Sequence, residues 1–480
     1  MGDCHPNASP LAVDIFHLFI ITTMNLITQL KLDTFTALNG LKLHQAITAG
    51  KKIDDSIWSY LKASEQQLVG LMNGNPPGPE AAGSMEFSWC LYVLNNDIGI
   101  VWTEILRLAG MPKSQIVESD WLAWIEEITH NGVIMGDGSL ISTALYAIAD
   151  PGWIMSLIFF FWYEIFPEEK HAPNFTPATI TVPSTQAAMN IGLFGDWGTG
   201  NYTDGNLPSS ASQMVTSCLA AAKTDMLIHL GDVYYAGTGK TLIASNEEGV
   251  NLEQCWPNKE NGGAPLGNFT MNSNHEMYDG ANGLFNVALG SPIFAKQGNS
   301  TVFSITYGQW LILGLDTAYN AEGMYMNGRI TDPQQVQLLK AAGASGKKVL
   351  LLSHHNAVSE PGDAQQQLWS DVTTALGKAP DYWYWGHVHN AIVYSKASAV
   401  GATACRCLGN AAIPIGNAPW FENNPNVDFF TNKPVNDTYP GNDPLRVQNG
   451  YAILTFTPDG GLVETWCNMD GSEAWSSAQQ

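Results

Sequence analysis

Residues 227–237 read Leu227-Ile228-His229-Leu230-Gly231-Asp232-Val233-Tyr234-Tyr235-Ala236-Gly237. The apolar run predicts a buried strand, and it ends abruptly at Gly231-Asp232. In open α/β sheets, ligands bind at the carboxyl ends of the strands, so Asp232 is the first candidate for a chemical role. A Gly-Asp pair after a strand is also an ordinary turn. The rest of the chain has to decide between these two interpretations.

Length and charge limit the alternatives. The chain has 480 residues, which favours two domains over one core. Its net charge is −23, and such a surface repels nucleic acid and anionic lipid at long range. A small phosphorylated substrate remains compatible with this charge if a metal ion supplies local positive charge.

The seven cysteines are too few and too scattered for a disulfide framework. Cys405 and Cys407 lie two apart in a strand-like run, which favours two small buried side chains over a ligand pair. No Lys or Arg precedes Lys31, so a cleavable signal peptide is not expected and a cytoplasmic location is favoured.

Residues 1–166 predict a mainly helical, apolar domain of unknown role. The most hydrophobic stretch, 153–166, lies between Pro151 and Pro167 and is too short to span a bilayer. A buried or dimer-facing helix is favoured there, and interfacial membrane contact is the alternative. Peripheral membrane association or a homo-oligomer contact would therefore involve this domain.

Residues 167–188 are rich in Pro and Thr and predict a linker or an edge strand, where we place the domain boundary. From 189 to 480 the pattern alternates between strands and helices, which predicts an α/β core with mixed sheets. Strands are predicted at 191–194, 226–230, 301–306, 310–315, 349–352, 382–385, 400–408 and 451–456. Helices are predicted at 209–223, 333–342 and 364–376.

Four further segments carry Asp, Asn or His, and three of them do so directly after an apolar run. They read Phe194-Gly195-Asp196-Trp197-Gly198, Asn272-Ser273-Asn274-His275-Glu276, Leu352-Ser353-His354-His355-Asn356 and Trp385-Gly386-His387-Val388-His389. Each alone is plausible as a turn or a buried histidine, but all of them in one α/β domain predict a metal centre. Carboxylate, amide and imidazole ligands together suit Fe, Mn or Zn. Asp232, expected on a central strand, is the natural bridge between two ions.

The ordered set Gly-Asp-x-Gly, Gly-Asp-x-x-Tyr, Asn-His-Glu, strand-terminal His and Gly-His-x-His resembles the calcineurin-like metallophosphoesterases. Within them it looks most like the purple acid phosphatase branch, over about residues 189–470. The resemblance implies a four-layer α/β/β/α sandwich with two metal ions, Fe with Zn, Mn or Fe. It does not cover the N-terminal residues.

The resemblance implies roles for nine side chains. Seven are metal ligands, one is a catalytic histidine, and one orients that histidine. The first metal would be held by Asp196, Asp232, Tyr235 and His389. The second would be held by Asp232, Asn274, His354 and His387. The family's catalytic histidine corresponds to His275, with Glu276 placed to orient it.

Three departures from the family pattern matter. Many members have a ligand His where this chain has Gly198. Tyr235 stands at the spacing where the purple enzymes use a tyrosinate. A tyrosinate in place of this His favours Fe(III) at the first site. Ser273 replaces the usual Gly before Asn-His. His355 follows His354, and the position relative to the strand favours His354 as the ligand.

Gly237-Thr238-Gly239-Lys240-Thr241 looks like the end of a phosphate-binding loop. The full pattern needs a Gly five residues before Gly239, where this chain has Tyr234. Nucleotide binding is therefore not expected, and the insert 238–270 is predicted to form a loop over the metal site.

The expected activity is hydrolysis of a small phosphoester by attack of a metal-bound hydroxide. The resemblance favours a phosphomonoesterase, with a phosphodiesterase as the alternative. The rival of another class is a membrane-associated or scaffolding protein that keeps a structural metal site. The intact motif set argues for the enzyme.

Overall fold

The computed structural model describes residues 167–239, 246–323 and 325–479, together with 133–134, 140–141, 146, 156, 159–160 and 163. Most of the predicted helical domain, 1–166, lies outside the described residues, and the division into domains stays a prediction. Within the described residues, no helix combines the length and the apolar character that crossing a membrane requires.

The strands of the described residues are numbered in chain order. They are β1 (Val133–Ile134), β2 (Leu140–Ile141), β3 (Ala178–Val182), β4 (Met189–Phe194), β5 (Met226–His229), β6 (Gly267–Thr270), β7 (Phe303–Tyr307), β8 (Trp310–Gly314), β9 (Lys348–Ser353), β10 (Tyr382–Trp385), β11 (Ala391–Tyr394), β12 (Ala404–Leu408), β13 (Val427–Phe430), β14 (Gly450–Phe456), β15 (Leu462–Asn468) and β16 (Glu473–Ser476). The described α-helices are α1 (Ala211–Ala222), α2 (Asn274–Tyr278), α3 (Pro333–Ala344), α4 (Gln367–Leu376) and α5 (Val435–Thr438).

Two mixed sheets form the body of the fold. One has eight strands in the order β13-β11-β12-β10-β9-β8-β7-β3, and the other has six in the order β16-β15-β14-β4-β5-β6. The strands that carry the motifs run parallel in pairs, β4 with β5 in one sheet and β9 with β10 in the other. Their carboxyl ends are where the predicted ligands follow.

Three apolar clusters divide the fold into layers. The central cluster joins the facing sides of both sheets, for example Ile228 of β5 and Leu350 of β9. A second cluster packs α3 and α4 on the outer face of the eight-stranded sheet, and a third packs α1 on the outer face of the six-stranded sheet. This arrangement confirms the predicted α/β/β/α sandwich.

Strong apolar patterns predicted eight of the ten inner strands of these two sheets, and the inner strands β11 and β15 were not predicted. The edge strands of these two sheets are β13, β3, β16 and β6, and of these the sequence predicts only β3, within the segment assigned to a linker or an edge strand. Half-exposed edges such as β13 bury few side chains, so their sequence shows little periodicity. The prediction of a loop over 238–270 is wrong at its end, because β6 pairs in parallel with β5. For the same reason β5 lies beside the edge strand and not at the centre of its sheet.

Candidate metal centre

Two carboxylates lie side by side at the ends of β4 and β5. Asp196 has a φ of 56° and Asp232 a φ of 76°, a left-handed conformation that Asp tolerates better than most residues. The Asp196 amide donates to the Gly231 carbonyl at 3.0 Å, and the Gly198 amide donates to the Asp232 carbonyl at 3.1 Å. The parallel pairing therefore continues into both turns and brings the two buried carboxylates to one place.

His354 reaches these carboxylates from the other sheet, at the end of β9. Its Nε2 lies 3.2 Å from Asp232 Oδ1 and 2.8 Å from Asn274 Oδ1. Its Nδ1 lies 2.9 Å from the carbonyl of Leu230, which can only accept a hydrogen bond. Nδ1 therefore carries the proton in the neutral ring, and Nε2 presents its lone pair to the centre.

The Gly-His-x-His segment after β10 closes the group. His389 Nε2 lies 3.2 Å from Asp196 Oδ1. His387 places its Nδ1 3.1 Å from Asn274 Oδ1, and its backbone amide donates to Asp196 Oδ2 at 3.0 Å. The structure thus brings together six of the seven side chains that were predicted as metal ligands.

The seventh prediction, Tyr235, differs from the structure. The hydroxyl that points into the group belongs to Tyr234, 3.1 Å from Asp232 Oδ2 and 3.2 Å from His389 Nε2. The ring of Tyr235 instead stacks on Tyr146 with the centroids 4.8 Å apart. The sequence spacing predicts Tyr235 as the metal ligand and Tyr234 as a packing residue. Neighbouring side chains point in different directions, and only the turn after β5 decides which of them faces the carboxylates.

His275 stands at the start of α2, beside the carboxylates. Its Nε2 lies 3.8 Å from Asp232 Oδ2, and its Nδ1 lies 2.6 Å from the Tyr235 carbonyl. Because a carbonyl only accepts, Nδ1 donates and Nε2 faces the centre. The group that orients His275 is thus this carbonyl and not Glu276, which was the predicted one.

Glu276 supports Asp232 by another route. Its carboxylate accepts from the Val233 amide at 3.1 Å and from the Ser273 hydroxyl. The same hydroxyl lies 2.5 Å from Asp232 Oδ1 and also caps α2 by accepting from the His275 amide at 3.0 Å. Ser273, which departs from the family's glycine, therefore links the helix cap to the carboxylate of Asp232.

His355 has other partners. Its Nδ1 lies 2.9 Å from the Thr317 hydroxyl, and its Nε2 lies 2.7 Å from the Tyr325 carbonyl. Both ring nitrogens are used inside the fold, which agrees with the preference for His354. His229, behind the site, is fully buried as expected, with Nδ1 3.0 Å from the Thr270 hydroxyl.

Burial controls the protonation of the centre. It raises the pKa of Asp196 to about 8, and the neighbouring charge of Asp232 adds to the rise. Burial alone would raise the pKa of Asp232 too, but His354 and His275 bring it well below its usual range. Burial lowers the pKa of His354 and His387, which favours the neutral imidazole that a metal ligand needs.

The donor set fits a metal ion. Asp196, Asp232 and His354 each offer a ligand atom, and these atoms lie within 4.8 Å of one another. The backbone at Gly386 also leaves room for the side chains of Asp196 and His354. A Cβ added at Gly386 would lie 2.5 Å from Asp196 Oδ2 and 3.4 Å from His354 Nδ1. Carboxylate, amide oxygen and imidazole are suitable ligands for Fe, Mn or Zn.

Sequence reasoning missed one residue that builds the loop beside the centre. The carboxylate of Glu247 accepts from the backbone amides of Tyr235 at 2.7 Å, Ala236 at 3.0 Å and Thr238 at 3.1 Å. These amides lie in or directly before the segment that looks like the end of a phosphate-binding loop, and here they already have a carboxylate as their partner. Nothing in the spacing of Glu247 points to this role.

Comparison with known proteins gives one family match. Residues 189–391 match the family model described as calcineurin-like phosphoesterase. No curated protein matches the chain. Solved structures that are similar include GAP50, "the anchor in the inner membrane complex of Plasmodium", with a TM-score of 0.43 and 12% identity over 61% of this chain and 88% of that one. They also include the purple acid phosphatase PPD1 from yellow lupin (Lupinus luteus) seeds, with a TM-score of 0.41 and 16% identity over 62% of this chain and 54% of that one.

Both TM-scores are low, so the assignment depends on the family match and on the residues of the centre. All five motif segments lie inside the matched range. The resemblance predicted from the motifs is therefore confirmed, and residues 189–391 of this chain match the calcineurin-like phosphoesterases.

Proposed function

We propose that this chain hydrolyses phosphate esters at a two-metal centre, with monoesters as the preferred substrates. The observation that carries the proposal is the convergence of Asp196, Asp232 and His354 within 4.8 Å at the strand ends of both sheets. Two bound cations would offset the charge of the phosphoryl oxygens and lower the pKa of a bound water.

The residues around the centre divide this work. Asp196 and His389 lie at one side of Asp232, and Asn274, His354 and His387 lie at the other. Asp232 would be shared by both cations. This is supported by its two oxygens, of which Oδ1 is 3.2 Å from His354 Nε2 and Oδ2 is 3.9 Å from His389 Nε2. The ligand set is thus assembled from both sheets around one carboxylate.

His275 is placed to act on the substrate. The Tyr235 carbonyl holds its Nδ1, so Nε2 faces the space in front of the carboxylates. From there it can bind a phosphoryl oxygen or donate a proton to the leaving oxygen. His275 is only 5% exposed, so its ring acts in a site from which most water is excluded.

The preference for monoesters rests on the likeness of the motifs to the purple acid phosphatases. A phosphodiester carries a second esterified oxygen where a phosphomonoester has a free, charged one. The two substrate classes therefore need different contacts from the protein at this oxygen. Rates with p-nitrophenyl phosphate and bis(p-nitrophenyl) phosphate distinguish them. A higher kcat/KM for the bis ester would replace the phosphatase by a phosphodiesterase.

The decisive experiment compares the purified, metal-loaded protein with Asp232→Asn and His275→Ala on both esters. Asp232→Asn should lose bound metal and activity together, and His275→Ala should keep the metal and lose activity. Full activity in both variants would rule the proposal out. A wild-type protein that holds two metals and turns over no phosphoester would favour the scaffolding alternative.

A further inference from the structure

Two side chains that are far apart in the sequence share one backbone carbonyl next to the centre. The Ser156 hydroxyl donates to the Tyr235 carbonyl at 2.6 Å. His275 Nδ1 lies 2.6 Å from the same oxygen. Ser156 is 2% exposed, so water does not replace its hydrogen bond. Ser156 lies outside residues 189–391, the range that matches the family.

Ser156 belongs to a stretch that packs against α2 and against the turn after β5. Ser156, Phe160 and Tyr163 have helical spacing, which places them on one face. Phe160 makes edge-to-face contacts with the rings of Tyr278 and Tyr325, with centroids 6.2 and 5.8 Å apart. This face of the apolar stretch is therefore buried against the part of the chain that carries His275.

Tyr163 anchors the same face further along. Its hydroxyl lies 3.4 Å from Asp279 Oδ1 and accepts from the Asn282 side-chain amide at 3.1 Å. Tyr163 thus contacts the residues that follow α2, and Ser156 contacts the carbonyl that holds His275. The two hydroxyls stabilise the same packing, but only that of Ser156 reaches the partner of His275.

A carbonyl with one hydrogen bond can still tilt with its peptide plane. Two donors that converge on one oxygen restrict this tilt, and the imidazole that depends on the oxygen is restricted with it. Nε2 of His275 then keeps its direction toward the substrate. A small misplacement of a group that must meet a reacting atom has a large effect on rate.

We infer that Ser156 is a positioning residue of the active site. Its hydroxyl holds the Tyr235 carbonyl in place, so that Nε2 of His275 points toward the leaving oxygen of the substrate. The inference rests on the proposed function and assigns to the N-terminal part of the chain a share in catalysis. Ser156 would act through the Tyr235 carbonyl, to which its hydroxyl donates.

The test is a double-mutant cycle between Ser156→Ala and His275→Ala, measured with phosphomonoesters whose leaving alcohols span a wide range of pKa. Ser156→Ala should lower kcat about tenfold for a poor leaving group, less for p-nitrophenolate, and leave KM unchanged. In the His275→Ala protein the same change should have no further effect. Equal losses in both backgrounds, or equal losses for all leaving groups, would overturn the inference.

Matched variants separate positioning from stability. Tyr163→Phe removes a hydroxyl from the same face and should lower the melting temperature without any dependence on the leaving group. The side chains of Thr and Val have the same shape, and Val has a methyl group where Thr has the hydroxyl. Ser156→Thr and Ser156→Val can therefore be compared if Ser156→Ala unfolds. Activity retained by Thr and lost by Val supports the inference, and equal activity contradicts it.

A second readout needs no turnover. The ¹⁵N resonances of the His275 ring in the metal-free protein, assigned by their absence in His275→Ala, report which nitrogen carries the proton. We expect Nδ1–H in the wild type and a mixture of tautomers in Ser156→Ala. An unchanged tautomer in Ser156→Ala overturns the inference. If the wild type turns over no phosphoester, the proposed function fails and this measurement still decides the role of Ser156.

Discussion

The hydroxyl of Tyr234 lies 3.1 Å from Oδ2 of Asp232, the carboxylate that both halves of the centre share. The same hydroxyl is 3.4 Å from Asp196 Oδ1, so it can donate to only one of the two carboxylates at a time. A phenol at this place is a hard ligand as soon as its proton is lost. The identity of this tyrosine therefore bears directly on the colour of the metal-loaded protein.

The first prediction concerns the two adjacent tyrosines. After loading with Fe(III), the wild-type protein should show a visible tyrosinate band, and Tyr234→Phe should lose it because the coordinating oxygen is removed. Tyr235→Phe is the matched control and should keep the band, since its ring stacks on Tyr146. A band lost in Tyr235→Phe and kept in Tyr234→Phe would restore the assignment made from the spacing.

The second prediction concerns pH and metal uptake. Burial raises the pKa of Asp196 to about 8, so the metal-free protein holds a proton that a cation must displace. Metal affinity should rise with pH up to about 8, with proton release on binding. Titration calorimetry in buffers of different ionisation enthalpy measures this release. Asp196→Asn should abolish the proton release together with tight binding.

The third prediction follows from the same shift in the absence of metal. The folded pKa of Asp196 exceeds its unfolded value of 3.8, so the unfolded chain loses this proton first as pH rises. The contribution to stability is complete below about pH 4 and is lost progressively as pH rises through 8. Denaturant unfolding with a chelator should give a smaller free energy at pH 8 than at pH 5. If Asp196→Asn shows the same slope, another group is responsible.

The fourth prediction separates the two histidines after β9. His354→Ala should lower the metal content, because Nε2 of His354 faces both Asp232 and Asn274. His355→Ala should keep the metal and lower the free energy of unfolding, since it removes the hydrogen bonds of the ring to the Thr317 hydroxyl and the Tyr325 carbonyl, at about 0.5–1.5 kcal/mol each. Elemental analysis and denaturant unfolding give the two quantities. The reverse pattern would make His355 the ligand.

The fifth prediction uses the room left at Gly386. A Cβ there would lie 2.5 Å from Asp196 Oδ2, so Gly386→Ala must displace this carboxylate or the backbone. We expect weaker metal binding with the fold retained, because the added methyl group meets a side chain of the centre. Circular dichroism of the metal-free protein checks the fold, and metal titration checks the site. Unchanged affinity would show that Asp196 does not need its present position.

The sequence predicted eight of the ten inner strands of the two sheets, since buried strands leave continuous apolar runs such as the one before Asp232. The inner strands β11 and β15 were not predicted. It also predicted which residue types follow these strands and in which order. From this order came the family, the sandwich and six of the seven proposed ligands that the structure brings together. Edge strand β13 was missed because a half-exposed strand needs little apolar periodicity. Edge strand β6 is buried, but it was missed because its four residues include one large apolar side chain, Phe269.

Only the tertiary structure decided the choices between adjacent residues. Whether Tyr234 or Tyr235 faces the carboxylates depends on the turn after β5, where Glu247 holds the backbone from a distant part of the chain. The partner of His275 is likewise a carbonyl, which has no signature in the sequence, and its second donor is Ser156. Residue types and their order are local properties that a sequence displays. The direction of a side chain results from hydrogen bonds between segments that meet only when the chain is folded.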